Sequence, residues 1–268
     1  MNDQNNLEEQ EEECKDLEEN KGLELEENEL LEEEEPDLQE ELDDEEVEFD
    51  VEAQIELFRQ QIEEEPENCI HHYNLGEALE ELRHYDEALE EFQIALKCDE
   101  DNAFGGVIHF GLGNLYYNML LSGASSDVIK SSVGLMSEHK DRDSITQVLA
   151  EDYQSPINEF EQALKYLPML KADDDLAEYI SENAPLSIAN IYYKWASDLV
   201  DKSRQIAHYG DEINDIKKAL KHLKKVLEID PNNSPAALLE KLGKKMVSEG
   251  WMIYDEYGFE AKNIQGIG

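Results

Sequence analysis

From residue 51 onward apolar side chains recur at every third or fourth position, in blocks separated by short polar steps. Leu75, Ala78, Leu79 and Leu82 form one stripe, and Ala88, Phe92, Ala95 and Leu96 form the next. Residues three or four apart share one face of a helix, so each stripe predicts an amphipathic helix with one side against a core. The polar step Arg83-His84 predicts a turn. Two stripes joined by so short a connection predict an antiparallel helical hairpin.

The same spacing recurs. FGLGNLYYNM repeats the Leu-Gly pair of Leu75-Gly76 as Leu112-Gly113, with Tyr116 following, and its partner stripe comes late, in YQSPINEFEQALKYLP with Tyr153, Phe160, Ala163 and Pro168. Gly113 to Tyr153 is 40 residues where Gly76 to Tyr85 is 9, so 31 residues are inserted. Pro156 stands in an Ala place, which predicts that it lies in a first helical turn. A third copy is APLSIANIYYKWA, with Ala189 in the Gly place, answered by Ala219, Leu223, Val226 and Pro231. Its excess is 18 residues (Ala189 to Ala219 is 30, Gly76 to Ala88 is 12), about five helical turns. Both helices lengthened by about nine residues each, with a tip at His208-Asp211, would keep their faces in register.

These residues resemble the tetratricopeptide repeat, a helix–turn–helix unit of 34 residues. Leu75-Gly76, Ala88, Phe92 and Ala95 match its spacing, while His72, Leu79 and Glu100 stand where the family commonly has Trp, Tyr and Pro. The resemblance implies an all-α fold, a right-handed superhelix of stacked helical hairpins (an α-solenoid) with about three units and two insertions. The units fall at about 69–102, 106–171 with an insertion at 121–152, and 182–233 with lengthened helices. A partial unit with Phe58 and Pro66 precedes them. Asn233-Ser234-Pro235 predicts the cap of a final helix over 235–249, completing a helical domain at 51–250. Residues 251–268 carry Trp251, Tyr254, Tyr257 and Phe259, and are expected to fold back onto that helix.

Charge divides the chain differently. Residues 1–50 hold 26 Asp and Glu against 2 Lys, with Phe49 the sole aromatic, so over half of the net charge of −45 lies in under a fifth of the chain. So little apolar surface cannot offset the entropy of ordering, and the stretch reads as a disordered acidic tail that aids encounter and solubility. Nucleic acid and anionic membrane would be repelled, and a basic protein attracted. Residues 201–268 hold 11 acidic and 11 basic side chains, including the lysine stripe of Lys217, Lys218, Lys221, Lys224 and Lys225. That stripe reads as a solvated face or as a seat for the tail. Three irregularly spaced cysteines, no charged-then-apolar leader and no apolar run of about 20 residues lead to the expectation of a cytoplasmic protein without a membrane span.

No catalytic constellation, cofactor motif or dedicated metal site emerges. Cys69-x-His71-His72 lacks a fourth ligand and starts a helix, and the glycines of GGVIHFGLG have no strand before them. What remains is a surface. In the tetratricopeptide family the inner wall comes mainly from the first helix of each unit and holds an extended peptide or partner segment. The resemblance places Tyr73, Glu77, Glu80 and Glu81 on that wall, then Phe110, Asn114, Tyr117 and Asn118, then Leu186, Asn190, Tyr193 and Lys194. Amides there can pair with a ligand's backbone, and tyrosines offer a flat apolar face with a polar tip. The expectation is a non-enzymatic adaptor or chaperone-like binder of a protein or peptide, basic in character. A plain assembly scaffold, or an enzyme within the 121–152 insertion, are the alternatives.

Overall fold

Asn68 starts the first complete hairpin: its side chain accepts from the Ile70 amide at 3.1 Å, satisfying a donor the helix cannot. The helix it opens ends at Glu81, and two residues on, Arg83 at φ 61° reverses the chain while Arg83 and His84 return their amides to Glu80 and Leu79. The structure, a computed structural model, describes residues 51–122, 148–171, 174–206, 208, 210–255 and 257–268. All lie in a unit spanning Phe49–Gly268. The acidic stretch 1–50 and residues 123–147 of the expected insertion lie outside the described residues.

Among the described residues eight α-helices follow in order: α1 (Val51–Glu64), α2 (Cys69–Glu81), α3 (Tyr85–Cys98), α4 (Gly105–Ser122), α5 (Ala150–Tyr166), α6 (Asp174–Ser203), α7 (Glu212–Ile229) and α8 (Ser234–Glu249). Each packs on the next, and α2–α3, α4–α5 and α6–α7 are the three hairpins. The described fold is thus a helical array of the solenoid type. Its apolar interior forms two clusters, one around Leu75, Phe92 and Leu115, the other running from Phe110 through Phe160 and Ile191 to Val226. Tyr73 packs against both.

The hairpins close by contact between the Gly place and the Phe place. A Cβ on Gly76 would sit 3.0 Å from Phe92, and one on Gly113 only 2.8 Å from Phe160. In the third hairpin the pair becomes Ala189 and Leu223, both buried, so a methyl group is gained where a ring is lost. A second correspondence links the first two hairpins. His72 Nδ1 meets Glu91 Oε2 at 2.7 Å, and His109 Nδ1 meets Glu159 Oε2 at 2.7 Å, at equivalent places. The third hairpin has Pro185 and His222 there instead, and His222 stacks on Trp195 with centroids 4.0 Å apart.

Two expectations are corrected. Pro156 lies well inside α5, whose start at Ala150 precedes it by almost two turns. There it removes the amide that would bond to Asp152, while the Ser155 hydroxyl donates to the Glu151 carbonyl at 2.9 Å. The excess of the third hairpin is not shared equally. Compared with the first, the part of α6 after Ala189 gains nine residues, the connection Arg204–Asp211 gains five, and α7 gains four before Ala219. After the array comes a feature that the sequence reading does not name. Strands β1 (Gly250–Tyr254) and β2 (Glu260–Gln265) form an antiparallel hairpin with Trp251 opposite Ile264 and a bulge at Ile253/Tyr254.

This hairpin is tied to the helices at two places. Gly250 turns at φ 80°, and the Ile267 amide donates to the Val247 carbonyl of α8 at 2.9 Å. Lys262 on β2 reaches both the His208 carbonyl and buried Glu212 at the start of α7. Burial pushes the Glu212 carboxyl up, but the Lys262 ammonium outweighs it and holds the group below the ordinary carboxylate range. One turn on, buried Asp215 sits 3.1 Å from His208 Nε2 and 3.3 Å from Lys202 Nζ.

Candidate functional site

The inner helices α2 and α4 face each other across a cleft of about 730 Å³. Glu77, Glu80 and Glu81 line it from α2, Asn114 and Asn118 from α4, and Arg83 from the turn after α2. Helical spacing explains the grouping: residues 77, 80 and 81 are three and four apart, as are 114 and 118, so each set shares one face. Five of the residues expected on the wall are therefore brought together.

The carboxylates are not simply solvated. Glu80 accepts a hydrogen bond from Asn118 Nδ2 at 2.7 Å, and burial pushes it up to about 7. The Asn118 amide pulls against that shift and the charge of Glu77 adds to it. Glu77 is exposed at its surface, yet the side chains packed round it raise its carboxyl too, against a hydrogen bond from the Tyr73 hydroxyl. Tyr73 is itself raised well above the ordinary tyrosine range by burial and by the Glu77 charge. An uncompensated carboxylate held in such a place favours a proton or a cation beside it.

The other expected wall residues fall differently. Phe110 points inward: it is buried, with edge-to-face contacts to Phe160 at 5.4 Å and Tyr179 at 5.8 Å. Tyr117 is half-buried and its hydroxyl raised by burial. Leu186 and Asn190 are exposed on α6, and Tyr193 packs against the core beside them, but none of the three lines the cleft. Lys194 donates to both oxygens of Asp198, at 2.7 and 2.6 Å, and Tyr153 donates to the same carboxylate at 2.5 Å. Its charge is thereby neutralised within the helix.

The sequence reading names neither Arg83 as a cleft residue nor Tyr179 as a neighbour of Phe110. Arg83 was read as turn only, although a positive-φ residue after α2 swings its side chain toward the cleft. Tyr179, exposed beside Phe110, lies on the part of α6 that precedes the matched repeat. The unbroken helical periodicity of DDLAEYISENAPL was the available signal.

The histidines that suggested a metal are engaged elsewhere. His72 bonds Glu91 and the Pro66 carbonyl, and His71 approaches Glu65 at 3.2 Å. Among the described residues no group of three or more His, Cys, Asp or Glu side chains is arranged to hold a metal ion, and no helix is long and apolar enough to cross a membrane.

Comparison with known families matches residues 72–102 to the tetratricopeptide repeat. Among solved structures, the chain is similar to a tetratricopeptide-repeat protein from Bacteroides fragilis, with 14% identity over 74% of this chain and 92% of that one and a TM-score of 0.23. It is also similar to YrrB, described as a tetratricopeptide-repeat protein with an unusual peptide-binding site, with 21% identity over 70% of this chain and 99% of that one, also at a TM-score of 0.23. No curated protein matches the chain.

Proposed function

From a chain that carries a tetratricopeptide repeat, and so a protein–protein interaction module, we propose an adaptor or chaperone-like binder whose inner cleft takes a basic segment of a partner protein. One observation carries this reading. Glu77, Glu80 and Glu81 line a cleft with Arg83, Asn114, Asn118, Tyr85, Leu121 and Ser122, so its lining sets three carboxylates against one arginine, and burial raises Glu77 and Glu80. A lysine or arginine entering there exchanges hydration for two carboxylates, while Asn114 and Asn118 offer donors and acceptors to a peptide backbone.

The amides tolerate sequence variation, whereas the carboxylates demand charge. Affinity for such a client follows salt, because long-range attraction is screened over a Debye length of ~8 Å near physiological ionic strength. The acidic stretch 1–50 would raise the encounter rate.

The test is fluorescence anisotropy of the full chain with a lysine-rich and an acidic peptide of equal length. The reading expects the lysine-rich peptide to bind and Glu80→Gln with Glu77→Gln to weaken it by about tenfold or more. Equal affinity for both peptides, insensitive to salt and to the two substitutions, would instead describe a scaffold without charge selection.

A further inference from the structure

The cleft between α2 and α4 has a fixed end. The two helices meet at two points seven residues apart on each. At one, Glu80 accepts from Asn118; at the other, Tyr73 lies so near the α4 backbone that a Cβ on Gly111 would stand 3.0 Å from its ring. Glu77 and Asn114 lie between these points and line the opening. Tyr73 therefore closes the cleft one turn, about 6 Å, before Glu77. What stands past that end comes from a third helix. Phe110, beside Gly111 on α4, is buried and meets Tyr179 of α6 edge to face at 5.8 Å. Tyr73, raised by burial and by Glu77, is raised further by Tyr179, so the two phenols are neighbours.

Tyr179 is anchored on one side and open on the other, with 54% of its surface in solvent. The same face of α6 continues as Asn183, Leu186 and Asn190, four, seven and eleven residues on, and the Asn183 amide donates to the Tyr179 carbonyl at 2.8 Å. The charge of this stretch has one sign. Between Lys171 and Lys194 the sequence holds no lysine or arginine, whereas Asp174, Asp175, Glu178 and Glu182 are exposed on α6. An open aromatic ring thus adjoins the carboxylate cleft in negatively charged surroundings, and a basic segment that runs on past Tyr73 meets no cation there to repel it.

We infer that Tyr179 is a specificity-determining residue: it takes an apolar side chain standing two positions from the basic residue that enters the cleft. The partner segment is then basic with an apolar residue interleaved, and not basic throughout. This rests on the charge-selective reading of the cleft given above. The spacing follows from chain geometry, since side chains two apart on an extended segment share one side at a separation of about 7 Å, close to the step from Glu77 to the Tyr73 end of the cleft. Tyr179 lies on the part of α6 that precedes the matched repeat spacing, so this contact is an addition of the lengthened helix and not of the repeat itself.

The probes are two labelled lysine-rich peptides, identical except for a leucine or a serine two positions from the central lysine, titrated by anisotropy against the full chain. The leucine peptide should bind about fivefold or more tightly than the serine peptide, as partial burial of a leucine predicts. Tyr179→Ser should erase that preference and leave the serine peptide within about twofold of its original affinity. Tyr179→Leu, which keeps an apolar cover on Phe110, should retain most of the preference. A residue that merely covered Phe110 would, when replaced, weaken both peptides alike. Glu77→Gln with Glu80→Gln should weaken both and leave their ratio unchanged, which separates this contact from the charge contact. Equal binding of the two peptides to the unaltered chain overturns the inference while the charge reading stands, and it involves no variant whose folding is in question. A preference that survives Tyr179→Ser in a chain shown by thermal unfolding to be folded overturns it too, because the apolar side chain would then sit elsewhere. Failure of both peptides to bind overturns the inference and the charge reading together.

Discussion

In the first two hairpins a glycine meets a phenylalanine and a histidine meets a glutamate; in the third a buried alanine and a buried leucine hold the corresponding places and a histidine meets a tryptophan. The geometry of the array is kept while the chemistry at each contact changes. The Gly–Phe and Ala–Leu pairs show what a repeat has to preserve, namely the summed volume across the interface rather than either residue. The exchange of the histidine–glutamate hydrogen bond for a stack shows a difference in surroundings. Around His222 lie Tyr192, Trp195 and two lysines rather than a carboxylate, and burial with those lysines pushes its imidazole down to about 4. The first two hairpins thus make their polar contact by a histidine–glutamate hydrogen bond, the third by flat apolar area with Tyr153 and Lys225 completing it.

The sharpest way to break the comparison is Gly113→Ala. The new Cβ would lie 2.8 Å from the Phe160 ring, and destabilisation of about 2–3 kcal/mol is expected in urea unfolding. Adding Phe160→Leu, which copies the third hairpin, should recover part of that loss. No recovery would mean the two pairs are not equivalent. Next in size, His72→Ala leaves half-buried Glu91 without its partner and should cost about 1–3 kcal/mol by the same measurement. The counterpart His222→Phe keeps a ring against Trp195 and should cost under about 1 kcal/mol.

A smaller effect tests the cleft. With Glu80 raised from 4.5 to about 7, the folded chain binds a proton that the unfolded chain releases between those values, so this group's stabilisation falls as pH rises from about 4.5 to about 7. Affinity for a basic peptide moves the other way and should rise between pH 6 and 8 as the carboxylate ionises, with Glu80→Gln flattening the rise. The smallest effect belongs to Lys194→Met. Its ammonium is already paired with Asp198, so affinity for the basic peptide should change by less than about twofold in the same titration.

What the sequence made legible is what depends on local spacing. Leu75-Gly76 with Phe92, and Leu112-Gly113 with Phe160, name their contacts through a fixed offset, and one insertion length carries the second pair into register. The grouping of Glu77, Glu80 and Glu81 with Asn114 and Asn118 followed from the same offsets. The inward turn of Phe110 did not, because it depends on Phe160 and Tyr179 from two other helices. The His72–Glu91 and His109–Glu159 pairs were likewise hidden, since no local pattern marks two polar residues as facing each other across a hairpin. The β1–β2 hairpin escaped because GWMIY and EAKNIQ are short, and neither alternates clearly between apolar and polar positions.

The reach of Lys262 to Glu212 bears on the order in which the molecule assembles. His72 finds Glu91 only 19 residues away, so the first hairpin can complete its polar contact as soon as α3 has left the ribosome. Glu212 is buried against a cation 50 residues downstream. A nascent chain stalled after α8 would therefore hold the third hairpin with a desolvated carboxylate and no lysine opposite it. Only when β2 is made does Glu212 gain the lysine that pairs with it, so the start of α7 completes its ion pair later than the first hairpin completes its polar contact.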